Sequence, residues 1–212
     1  MKNINNRAVI AGTVVTESAS YECCGERFYS FSISTKRDSG VEDILPVNIS
    51  QFLIKKITVG DKLCLEGQVR TYNKIVNGKS RLIVVFFAQE VREYESDINQ
   101  IELTGYFCKV PEYRVTPLGR EICDILLAVN RERGKSDYVP CICWGRTAAH
   151  IATLNVGAKA AVVGRFQSRE YEKKDAEGQV ICKNTAYEVS VNRINEVMED
   201  KQDECENRRN DY

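Results

Sequence analysis

Apolar and polar residues alternate with period two along most of this chain, in short runs separated by turn-forming residues. In residues 27–35, Tyr29, Phe31 and Ile33 alternate with Phe28, Ser30, Ser32 and Ser34. In residues 121–131, Cys123, Ile125, Leu127 and Val129 lie on one side, and Ile122, Asp124, Leu126 and Ala128 on the other. This pattern predicts strands over 7–15, 27–35, 44–49, 63–72 and 80–90, and again over 101–107, 121–131, 138–144, 159–169 and 179–192. Two stretches break the period. Phe52, Leu53, Lys56 and Ile57 stand at helical spacing, and residues 147–154 fit two helical turns. Asn77-Gly78 is a hairpin signal between two of the strands.

The order of elements occurs twice. Gly60 and Gly67 bracket one apolar strand that runs out into Arg70 and Tyr72; Gly157 and Gly164 bracket another that runs out into Arg169 and Tyr171. Gly12 and Gly105 hold matching places near the start of each half. A repeat of this length is a duplicated domain rather than a solenoid unit. Each half reads strand, strand, strand, short helix, strand, strand, which is the arrangement of an OB-fold barrel. The expectation is therefore an all-β chain of two tandem five-stranded OB-fold barrels, each with a short helix between strands 3 and 4. The first spans residues 1–92 and the second 101–195, with a polar linker over 93–100 and an acidic tail over 196–212. Glycine inside a strand marks a sharp bend or a close backbone approach, which is the role expected of Gly12, Gly67, Gly105 and Gly164.

Composition narrows the class. With 212 residues, the chain has room for two small cores. No apolar run approaches the roughly 18 residues of a membrane span, and residues 1–6 carry no apolar signal stretch. The nine cysteines are odd in number, and most sit within apolar runs, as buried thiols do in a reduced compartment. A cytoplasmic protein is expected. The net charge of zero hides an uneven distribution: residues 1–195 hold 27 basic against 23 acidic side chains, and residues 196–212 hold 3 against 7. The tail reads equally as an interaction segment, an electrostatic decoy for a basic face, or a solvated end.

Rings and cations are interleaved in both halves. In the first they are Tyr29, Arg70, Tyr72 and Lys74, with Arg37, Lys79 and Arg81 nearby. In the second they are Arg120, Arg131, Arg133, Lys135, Tyr138, Trp144, Arg146, Arg165, Arg169 and Tyr171. Flat rings for unpaired bases and cations for phosphates are what a single-strand binder needs. Catalysis finds no support. The one histidine, His150, stands alone on a predicted helix, with no nucleophile, base and orienting group around it. Cys141 and Cys143 lack a second pair at metal spacing, and Cys23-Cys24 are adjacent, so no metal and no cofactor is expected. OB-folds serve many ends, so a protein-interaction or assembly module with little nucleic-acid binding is the alternative.

Several segments of the second half carry a more specific signal. Residues 99–105, Leu118-Gly119-Arg120 running to Asn130-Arg131, Tyr138 through Cys143-Trp144-Gly145-Arg146-Thr147-Ala148, Val156-Gly157-Ala158-Lys159, and Gly164-Arg165-Phe166-Gln167-Ser168-Arg169-Glu170-Tyr171 resemble bacterial and phage single-stranded DNA-binding proteins. The resemblance implies sequence-independent binding of single-stranded DNA in replication, recombination or repair. It also implies base stacking at Tyr138, Trp144 and Tyr171. Such proteins present four OB-folds per assembly, so two per chain implies a homodimer in a bacterial, phage or mobile-element setting. The first half matches loosely: it has Gly12, Gly25, Gly60, Gly67 and Tyr72 but nothing like Trp-Gly-Arg, and the pattern is lost over 48–52. The family's tail closes on Pro-Phe and docks replication or recombination partners. This tail is acidic but ends Asn210-Asp211-Tyr212, so docking through it is not implied.

Overall fold

The structure is a computed structural model that describes residues 5–76, 78–132, 134–174 and 179–197. Arg133, Asn77 of the expected hairpin signal and residues 198–212 of the expected tail lie outside the described residues. The first half contains β1 (Asn6–Val14), β2 (Ala19–Cys23), β3 (Glu26–Lys36), β4 (Glu42–Ser50), β5 (Lys62–Val76) and β6 (Lys79–Arg92). The second contains β7 (Ile98–Phe107), β8 (Glu112–Val115), β9 (Glu121–Asn130), β10 (Ser136–Trp144), α1 (Gly145–Ile151), β11 (Lys159–Lys174) and β12 (Val180–Glu196).

Pairing closes each half on itself. In the first, β1 pairs with β3, β3 with β4, β4 in parallel with β6, β6 with β5, and β5 with β1 again. In the second, the ring is β7, β9, β10, β12, β11 and back to β7, with β10 and β12 parallel. Each is a five-stranded closed barrel with the strand order of an OB-fold, and closure leaves no edge within the ring. The short strands β2 and β8 add outside the rings, on β3 and β9. The sequence reading misses these two, which are only five and four residues long and exposed along their whole length.

The period-two faces seen in the sequence are the barrel walls. Phe31 and Ile33 of β3 and Leu45, Val47 and Ile49 of β4 fill the first barrel with Ile10, Leu65, Val69 and Phe86. Leu103, Phe107, Leu127, Val139, Val162, Phe166 and Val189 fill the second. The four strand glycines sit where walls nearly touch. A β-carbon on Gly12 would run into the Ser34 carbonyl, one on Gly67 into that of Phe87, one on Gly105 into that of Ala128, and one on Gly164 into that of Ser190.

One α-helix is found among the described residues, not one per barrel. Residues 52–57, expected to be helical, form no helix; a turn begins there instead, in which the Leu53 amide donates to the Ser50 carbonyl at 3.1 Å. The stretch is short, and it runs into β-branched Ile57, Thr58 and Val59, which disfavour a helix too brief to nucleate alone. The counterpart in the second barrel holds Ala148 and Ala149, and α1 forms over Gly145–Ile151 with Ala148 and Ile151 buried beneath it.

The barrels are joined through β1 and β7, which pair antiparallel about a centre where Ala8 faces Ile101. Asn6 faces Leu103 on one side, and Ile10 faces Asn99 on the other. These residues are equivalent pairs of the repeat, so the two halves are related by a local twofold axis. Side chains obey it too. Asn6 exchanges two hydrogen bonds with the backbone of Val69 (2.8 and 3.0 Å), and Asn99 does the same with Phe166 (2.6 and 2.8 Å).

Candidate nucleic-acid interface

The outer wall of the second barrel holds five of the expected site residues, Tyr138, Trp144, Arg165, Arg169 and Tyr171. In β10, Val139, Cys141 and Cys143 point inward, so Tyr138 and Trp144 point out. Tyr138 is 47% exposed and Trp144 36%. In β11 the outward series is Arg165, Gln167, Arg169 and Tyr171, since Val162 and Phe166 are core. Tyr171 is 44% exposed, and the Arg169 guanidinium lies 5.9 Å from its ring centroid. The two strands are linked through β12: the Trp144 indole N–H donates to Ser190 Oγ at 3.2 Å, and Ser190 faces Arg165. That bond holds the ring against the wall with one side toward solvent.

Arg165 is electrostatically unusual. Its Nε is buried without a hydrogen-bond partner. Burial, and secondarily the like charge of Arg37 from the first barrel, hold its pKa below the ordinary arginine value. A half-buried cation beside another cation is a place where an anion is welcome. Two carboxylates lie close by: Asp43, paired with Arg37, partly offsets that shift at Arg165. Buried Glu188 accepts from Gln167 Nε2 at 2.8 Å and from Arg169 Nε at 3.2 Å, which neutralises part of the charge there.

The remaining cations divide into two groups. Arg120, Lys135 and Arg146 are exposed: Arg120 in the turn between β8 and β9, Lys135 before β10, and Arg146 in the first turn of α1. Arg131 and Arg70 are engaged between the barrels. Both hold fully buried Asp137, Arg131 through Nε at 2.8 Å and a second guanidinium contact, and Arg70 at 3.0 Å. In the first barrel Tyr72 and Lys74 are exposed on β5. Tyr29 faces the core with Phe31 and Ile33, and its hydroxyl donates to the Lys55 carbonyl at 3.1 Å. The alternation in the sequence already places it on the apolar side.

Two functional acids escape the sequence reading, which assigns both to loops. Asp137 accepts from the Thr71 amide of the first barrel at 2.6 Å. Asp43, bound bidentately by Arg37 (2.5 and 2.6 Å), accepts from the Ser168 amide of the second barrel at 3.0 Å. Each acid is thus a clasp from one barrel to the other, and the two clasps are twofold mates. The available signal is the spacing: Arg37 precedes Asp43 by six positions, as Arg131 precedes Asp137. His150 lies exposed on α1. Cys141 and Cys143 point into the core; burial pushes the Cys141 thiol well up and that of Cys143 to about 12, so both are neutral thiols.

The two halves are OB-fold barrels, and the second carries outward rings and cations along one wall. Residues 98–197 match the model of the single-strand binding protein family. Over 88 residues the chain is 38% identical to single-stranded DNA-binding protein A of Bacillus subtilis (strain 168), covering 38% of this chain and 51% of that protein. Over 102 residues it is 34% identical to single-stranded DNA-binding protein 1 of Staphylococcus aureus (strain COL), covering 42% and 60%. The chain therefore spans about half the length of the former and three fifths of the latter. The fold of both halves together is similar to wild-type single-stranded DNA-binding protein from Thermus aquaticus, with a TM-score of 0.73 at 18% identity, over 92% of this chain and 94% of that one. The second barrel of this chain is thus similar to the single-strand binding protein family.

Proposed function

We propose that this protein binds and protects single-stranded DNA without regard to sequence, in replication, recombination or repair. Tyr138, Trp144 and Tyr171 stack on bases, and Arg120, Lys135, Arg146, Arg165 and Arg169, with Arg133, take phosphates; Tyr72 and Lys74 extend the surface on the first barrel. Arg70 and Arg131 serve by fixing the barrels to each other through Asp137. The reading divides the chain as residues 1–92, 93–100 and 101–195, followed by an acidic tail, and places it in the cytoplasm as a homodimer of four barrels.

The single observation that carries this reading is the outward Trp144 ring, held by Ser190, which faces Arg165, whose buried Nε has no hydrogen-bond partner. An outward ring beside a partly buried cation suits a base and its phosphate together. Titration of oligo-dT of about 30–60 nucleotides while following tryptophan fluorescence tests it, the length being set by the few to sixteen nucleotides each OB-fold covers. Quenching that weakens as salt rises is the expected result. Unchanged fluorescence with no gel shift would instead point to an assembly module.

A further inference from the structure

The first barrel has no counterpart of Trp144 in sequence, but register shows where its ring has gone. Phe28 faces Ser50 across β3 and β4 as Ile122 faces Trp144 across β9 and β10, so Ser50 occupies the tryptophan's place. Beside it, Phe87 of β6 pairs with Asn48 and Gln68 as Ser190 of β12 pairs with Ile142 and Arg165. The serine and the aromatic have exchanged strands: Trp144 over Ser190 in one barrel, Ser50 beside Phe87 in the other. A third position changes with them. Tyr21 of β2 faces Phe28, where Arg114 of β8 faces Ile122.

The result is a ladder of rings on the outer wall. Tyr21 stacks on Phe28 with centroids 5.6 Å apart and planes at 21°, and Phe28 meets Phe87 at 5.7 Å and 48°. Tyr21 is 39% exposed. Next to the ladder, the outward positions of the β5–β6 hairpin are Gln68, Arg70, Tyr72 and Lys74 on β5 and Phe87, Val85, Ile83, Arg81 and Lys79 on β6. None is acidic. Lys74 stands directly opposite Arg81, an arrangement that is repulsive on its own. Rings in contact at one end of this strand pair, with opposed cations six positions further along it, match a ligand with flat bases and a negative backbone; Glu26, beside Phe28 on β3, accepts from Ser50.

Resting on the reading that the chain binds single-stranded DNA, we propose that the first barrel carries a second platform of different construction. Tyr21, Phe28 and Phe87 stack on bases, and Lys74, Lys79 and Arg81 take phosphates. The platform's three rings touch one another, whereas the second barrel's one tryptophan and two tyrosines are spread among arginines.

The chain has one tryptophan, so native fluorescence reports the second barrel alone. Combining Trp144→Phe with Phe87→Trp moves the reporter to the first. Oligo-dT of about 60 nucleotides, long enough to cover two OB-folds, is expected to quench it. A reporter at position 87 that stays silent while native Trp144 is quenched overturns the second platform and leaves the general reading standing. Silence of both, with no gel shift, overturns both. A separate variant avoids the half-buried ring: Tyr21→Ala with Lys79→Gln and Arg81→Gln changes exposed side chains only. It is expected to keep the native melting temperature and to weaken binding of the same oligonucleotide about tenfold, equivalent to one lost stacking contact. Unchanged affinity in this variant also overturns the proposal.

Discussion

The Thr71 amide of the first barrel donates to Asp137 Oδ1 of the second at 2.6 Å, and Asp137 is fully buried. Thr71 returns the contact: its Oγ1 accepts from the Tyr138 amide at 2.8 Å, and its carbonyl accepts from Arg131 at 3.1 Å. The residue that carries a proposed base-stacking ring is therefore tied through its own backbone to the neighbouring barrel. The twofold-related clasp, Asp43 to Ser168, is completed by the Ile44 amide donating to Ser168 Oγ at 3.0 Å.

Asp137→Ala removes the centre of this clasp and leaves Arg70 and Arg131 partly buried without their carboxylate. Removing one partner of a buried pair costs about 3–5 kcal/mol. Both arginines keep some contact with solvent, so a loss of about 3 kcal/mol, read from urea unfolding, is expected. Asp43→Ala is expected to behave alike, because it breaks the mirrored clasp.

Acid acts on the same group. Burial pushes the Asp137 carboxyl up, but hydrogen bonds from Arg131, the Thr71 amide and Arg70 outweigh it and hold the folded pKa below the ordinary 3.8. A depressed folded value contributes stability above the unfolded pKa and loses it as pH falls through the folded value. The side chain of Arg7, against the effect of burial and with help from Arg92, lowers Glu66 in the same sense. The urea midpoint is expected to hold near neutrality and to fall below about pH 4, and Asp137→Asn is expected to flatten that fall.

Gly67→Ala places a methyl group against the Phe87 carbonyl at the bulge between β5 and β6. The wall has to open to admit it, at about 1–3 kcal/mol, the usual range for overpacking. Gly164→Ala meets the Ser190 carbonyl and is expected to lower the melting temperature similarly. It should also disturb Trp144, which Ser190 holds, so its fluorescence maximum is expected to shift even without DNA.

Tyr138→Ala with Tyr171→Ala removes two exposed rings from the proposed surface. A stacked base is worth about 1–3 kcal/mol in single-strand binders generally, a range not particular to this chain. A combined loss of about 2–6 kcal/mol in oligo-dT affinity is expected, with little change in fold. An affinity equal to that of the unaltered protein would exclude both residues from the surface.

Thiol reactivity should separate the cysteines by position. Cys23 and Cys24 are exposed at the tip of the β2–β3 hairpin, where Cys24 takes a left-handed backbone with φ of 53°. Cys64, Cys123, Cys141 and Cys143 are buried. Among the described residues, maleimide labelling of the native protein at neutral pH is expected to reach Cys23 and Cys24 first and Cys141 and Cys143 only after unfolding. Mass analysis of tryptic peptides reads this directly.

Much of this molecule can be read from the order of its residues. Alternation with period two marked the barrel walls, two sets of glycines at matching places marked a duplication, and rings interleaved with cations around Tyr138, Trp144 and Tyr171 marked a surface. Each is a local property, set within a strand or a turn. What the tertiary structure decided involves partners distant in sequence. Asp43 and Asp137 look like loop acids until folding brings Ser168 and Thr71 to them. The aromatic missing at Ser50 is supplied by Phe28 and Phe87 from other strands. A single strand's pattern says which face is inside but not which strand lies beside it. That choice depends on long-range register, settled only when the whole sheet closes.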